Sequence, residues 1–99
     1  MRTFYYNKKG EPIASDEWVR LLEDPAYQRI KQTVLPNGKW VSTVWLGLNY
    51  QYGNGPPLVF ETMVFSRQGE WDELDCRRYS TIREARIGHK EMVKEWGAK

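Results

Sequence analysis

Apolar and polar positions alternate along the chain at two different periods, and the changes of period divide it into short elements. Thr3 to Tyr6 is β-branched and aromatic and stops at Asn7-Lys8-Lys9-Gly10, which predicts a short first strand and a turn. Ser15 stands where a helix N-cap is expected, and Asp16 and Glu17 suit the electropositive first turn. Trp18, Leu21 and Leu22 give that helix a narrow apolar face. Pro25 ends it, because Asp24 before a proline is pushed out of the α region.

The strongest local signal lies between Tyr27 and Trp45. Asn37-Gly38 is the favoured pair for a two-residue hairpin turn, since both positions need positive φ. Counting outward sets Val34 opposite Val41, Gln32 opposite Thr43 and Ile30 opposite Trp45. One face then carries Ile30, Val34, Val41 and Trp45, and the other Arg29, Lys31, Thr33 and Ser42. A turn displaced by one residue at Pro36 inverts these faces.

Residues 47–57, GLNYQYGNGPP, form a loop longer than the usual connection, which marks it as a candidate for function or for a self-packed unit. Leu58 to Phe65 is an almost continuous apolar run, the pattern of a central strand covered on both faces. Ser66 to Glu70 reads as a turn and Trp71 to Tyr79 as a more polar strand near an edge. Thr81-Ile82-Arg83-Glu84 is a capping box, followed by Ile82, Ala85, His89, Met92 or Val93, and Trp96 at spacings of three and four. Gly97 sits where such a helix stops. The order β-α-β-β-β-β-α predicts one α+β domain over residues 1–99, with a mostly antiparallel sheet of four or five strands and the helices on one face.

Composition narrows the class of function. The chain has five Trp, six Tyr and three Phe among 99 residues, so a small core can bury enough area without disulfides. Its net charge is +2, and neither half is a basic arm or an acidic tail, which gives no strong case for nucleic acid and leaves a weak nucleic-acid binder as a third reading behind the two below. Cys76 is the one cysteine, which excludes an internal disulfide and a multi-cysteine zinc site and fits a reducing cytoplasm. The opening residues lack the apolar core of a signal peptide, and no run is long enough to span a bilayer. A soluble cytoplasmic protein without membrane contact, metal or cofactor is expected.

Few residues suggest chemistry. His89 lies on the apolar stripe of the last helix, where a packed imidazole with a hydrogen bond outweighs a general base lacking nucleophile and orienting partner. Glu61 interrupts the apolar strand and needs a partner, for which Arg77 and Arg78 on the next strand are candidates; a ligand contact in a cleft is the other reading. His89 with Glu61 is the only pair that could serve an enzyme, and none is expected. The loop with Tyr50, Tyr52 and Asn54 is the best recognition candidate: tyrosines offer flat faces and hydroxyls, and glycines let a ligand approach the backbone. It lacks the phosphate-loop pattern and precedes a strand. Arg77, Arg78, Arg83 and Arg86 cluster around the last strand-to-helix junction and could hold an anion, although a solvated basic face explains them as well.

Val41-Ser-Thr-Val-Trp-Leu-Gly-Leu-Asn49, Gly53-Asn-Gly-Pro-Pro-Leu-Val-Phe-Glu-Thr-Met-Val-Phe65, Arg78-Tyr-Ser-Thr81 and the stretch from Ala85 to His89 resemble a widespread family of small uncharacterised proteins encoded by phages, prophages and their bacterial hosts. The resemblance covers most of the chain and carries no assigned reaction or catalytic residue. It implies a small accessory protein that acts by binding. The expectation is a non-enzymatic module for a host protein, a defence component among the candidates, contacting it through the Tyr50–Pro57 loop with Trp45 or Trp71. The alternative is a small anionic ligand, a nucleotide stacked on an aromatic ring with its phosphates on the arginines. The sequence leaves the oligomeric state open, a homodimer included.

Overall fold

The computed structural model describes residues 4–49 and 55–98. Two helices precede the sheet, α1 (Ser15–Leu22) and the single turn α2 (Pro25–Gln28); four strands follow, β1 (Arg29–Val34), β2 (Trp40–Trp45), β3 (Phe60–Phe65) and β4 (Glu73–Tyr79); α3 (Ile82–Gly97) comes last. The strands form one antiparallel meander in the order β1-β2-β3-β4, as expected for an α+β chain with tight connections. The expected first strand is reduced, among the described residues, to isolated bridges of Tyr5 with Leu48 and Tyr6 with Pro12. Gly47 explains why that pairing does not extend. Its φ is +71°, which turns the chain out of line after β2, and a Cβ there would strike the rings of Trp45 and Trp18.

The helix boundaries differ from expectation at one point. Ala14, not Ser15, is the N-cap of α1, and no side chain caps it. Pro25 does end α1, but it also opens α2, with the Asp24 carboxylate accepting from the Ala26 amide at 3.0 Å. Thr81 caps α3 as expected, its Oγ1 accepting from the Glu84 amide at 3.1 Å, while the Glu84 carboxylate accepts from the Thr81 hydroxyl at 3.0 Å.

The hairpin forms where expected and in a different register. Thr33 pairs with Val41, Gln32 with Ser42 and Lys31 with Thr43, one residue away from the two-residue count. Pro36 is the cause. Its fixed φ suits the second position of a type I turn, so the loop takes three residues: Leu35 O accepts from Gly38 N at 2.9 Å, and Gly38 adopts φ +89°. Val34 consequently leaves the core side and is 52% exposed. A bulge between Arg29 and Lys31 returns Ile30 to the core.

The register sorts the strands into two faces. Rows Thr33–Val41–Val64–Asp75, Lys31–Thr43–Thr62–Arg77 and Trp45–Phe60–Tyr79 lie under α3. Met92 closes one cluster with Leu35, Val41 and Val64; Ala85 closes another with Trp45, Val59 and Phe60, to which α1 adds Trp18, Leu21 and Leu22. The opposite face carries the rows Val34–Trp40–Phe65–Glu73, Gln32–Ser42–Met63–Cys76 and Arg29–Val44–Glu61–Arg78. No helix among the described residues packs across it, and no described helix is long and apolar enough to cross a membrane.

Candidate functional site

The covered face holds His89, 3% exposed, between two threonines. Nε2 lies 2.8 Å from Thr33 Oγ1 and Nδ1 2.7 Å from Thr43 Oγ1, which in turn lies 2.5 Å from Thr62 Oγ1. A neutral imidazole offers one donor and one acceptor, and rotating hydroxyls can complement both. Burial first, and the charge of Lys31 second, push its pKa down to about 4. Thr43 is fully buried, so no substrate carbonyl can approach its hydroxyl, and this hydroxyl–imidazole pair works as structural glue.

Glu61 lies on the other face. It is 5% exposed, and its Oε2 accepts from Arg78 Nε at 3.0 Å. The sheet separates it from His89, so the two form no joint acid–base site. Cys76 sits one row away; burial, then the Glu61 carboxylate, push its thiol up to about 12, leaving no thiolate at neutral pH. Arg77 points to the helix side and pairs with Glu95 at 2.6 Å, beside Asp75, which accepts from Trp96 Nε1 at 3.0 Å. The expected arginine cluster is therefore divided: Arg77 under α3, Arg78 on the open face, and Arg83 and Arg86 on the exposed flank of α3.

The aromatic candidates separate just as clearly. Trp45 is fully buried, its indole donating to the Tyr6 carbonyl at 3.0 Å and its ring edge-on to Tyr27, so it belongs to the core and not to a contact surface. Trp71 is 81% exposed. The β3–β4 connection folds back, held by Asp72 accepting from Ser66 N, and sets Trp71 edge-to-face on Phe65 and Trp40 at centroid distances of 5.8 and 6.5 Å. Tyr50, Tyr52 and Asn54 lie outside the described residues.

Sequence reasoning missed Trp40. In β2, Trp40, Ser42 and Val44 alternate with Val41, Thr43 and Trp45, and both sets mix large apolar with small polar residues. Trp40 Nε1 is buried and has no hydrogen-bond partner among the described residues. Its ring, Met63, Val44 and Gln32 line a shallow groove of about 270 Å³ that runs to the Glu61–Arg78 pair. A second, larger groove of about 530 Å³ lies between the free edge of β1 and α3. No family model, curated protein or solved structure matches this chain.

Proposed function

We propose that this chain is a small non-enzymatic binding protein that contacts a partner protein through the uncovered face of its sheet. The observation that carries the reading is the Trp40–Phe65–Trp71 cluster. Three large rings meet in tilted and edge-to-face contacts on a face that no helix covers among the described residues, and the outermost, Trp71, is largely exposed. Clustered aromatics with a nearby arginine are the residue types that dominate the energetics of interfaces. The half-buried ion pair beside them, Glu61 with Arg78, supplies a polar margin. The resemblance to phage and prophage proteins argues for a host protein as that partner, a defence component included.

Native mass spectrometry of the protein drawn from bacterial cytoplasm, beside Trp71→Ala, tests the reading. A protein-sized added mass on the natural chain, absent from Trp71→Ala, is the expected result. An added mass of a few hundred daltons overturns the reading in favour of a small anionic ligand, and a protein partner that survives the substitution overturns the choice of surface.

A further inference from the structure

The geometry points to a second docking site, on the covered side of the sheet and independent of the aromatic face: the groove between β1 and α3 takes an extended, acidic polypeptide segment as a fifth strand. Every charged residue that lines the groove is a cation. Lys31 from β1 and Arg83, Arg86 and Lys90 from α3 line it, no carboxylate does, and none of the four is in an ion pair among the described residues. Lys8 lies close enough to Arg86 for that charge to help burial hold its ammonium below the lysine range, with Asp24 acting the other way. The acids of α3 that follow the first turn, Glu91 and Glu95, belong to the other flank, where Glu95 holds Arg77. The rest of the lining is Ile30, Ile82 and Ile87, the last 49% exposed, with the buried His89. A volume of about 530 Å³ is in the range that binding clefts occupy.

The backbone supplies the third feature. Leu35 N donates to the Lys39 carbonyl at 2.8 Å, so in the antiparallel ladder Thr33/Val41 and Lys31/Thr43 are the bonded pairs. The amides and carbonyls of Gln32 and Val34 then point off the free edge, and β1 has no strand beyond it among the described residues. A strand added there lies beneath the overhang of α3, with alternate side chains directed at the isoleucines and cations. The same charges choose the occupant. Two β1 edges brought together would set Arg29 and Lys31 of one copy beside those of the other, which like-charge repulsion opposes. An acidic strand meets four cations in place of that repulsion.

Selection from a library of random dodecapeptides, with the full chain as bait and the double variant Lys31→Glu, Arg86→Glu as counter-bait, tests the site. Enrichment of sequences rich in Asp and Glu with β-branched residues, lost on the counter-bait, is expected. The best such peptide should bind at least about tenfold more weakly to the double variant, and should slow hydrogen exchange at the Gln32 and Val34 amides. Val34→Pro removes an outward amide, keeps the ladder to β2 and leaves the linings of both grooves in place, so it should abolish binding while the amide spectrum stays folded. Three outcomes overturn the proposal: no enrichment, enrichment without acids, or peptide shifts that map to the Trp40–Trp71 face. Equal displacement of the peptide by oligothymidine would reduce the groove to a general polyanion surface, and also overturns it.

Discussion

The two faces of this sheet contain similar residues and differ in what is finished. Each mixes aromatics, threonine or serine, and charge along the same strands. Under α3 the His89 ring and the hydroxyls of Thr33, Thr43 and Thr62 form one continuous hydrogen-bonded chain, and the apolar rows are closed by Met92 and Ala85. On the other side Trp40 keeps an unpartnered buried N–H among the described residues, and Trp71 stands in solvent. Substitution on the covered face should therefore cost folding, and substitution on the open face should cost binding while folding is retained.

Trp45→Ala probes the covered face most severely. Removing a fully buried indole should cost about 3–5 kcal/mol, read as a shift in urea midpoint, and a loss under about 1 kcal/mol would place Trp45 outside the core. The next effect is a pH dependence. His89 is neutral in the folded chain with a pKa of about 4, against 6.5 for the free side chain. The unfolded chain therefore binds the extra proton first, and stability falls as pH drops from the unfolded value toward the folded one. The loss approaches about 3 kcal/mol at the acid end of that window. His89→Gln cannot titrate, so its stability should change less between pH 7 and pH 5 than that of the natural chain; equal slopes would remove the effect.

Glu61→Gln crosses to the open face. It replaces the carboxylate that accepts from Arg78 Nε with a neutral amide, and Arg78 is partly solvated, so the cost should be about 1 kcal/mol. A larger loss, measured by the same denaturation, would assign Glu61 to the structural side of the comparison. The smallest expected effect on folding is that of Trp71→Ala, within about 0.5 kcal/mol. A melting temperature lowered by more than a few degrees would show that the aromatic cluster serves the fold and not a partner.

How far the sequence could be read follows from where its signals are local. The capping box at Thr81 and the spacing of Ala85, His89, Met92 and Trp96 are properties of one continuous segment, and α3 matches them. The hairpin signal was also local, but its register depended on a competition inside the turn. Pro36 favoured a type I turn over the Asn-Gly pair, and the one-residue difference moved Val34 to the open side. The pairing of Arg78 with Glu61, and of Arg77 with Glu95, required the β3–β4 register, which no nearby residue sets. The groove was less legible still. Lys31 and Lys90 lie in different elements, and nothing in their own surroundings marks them as neighbours of Arg83 and Arg86.

The meander order has a kinetic consequence. Each strand pairs with the one synthesised just before it, so the sheet can assemble hairpin by hairpin from near neighbours in the chain. α3 follows all four strands, and until it docks Thr43 and Thr62 face water and Val41 and Val64 are uncovered. During that interval the sheet exposes apolar rows on both sides, the condition in which partly folded chains associate. The arrival of α3 gives the sheet its two different sides, and the rate of that single step sets how long the nascent protein is vulnerable.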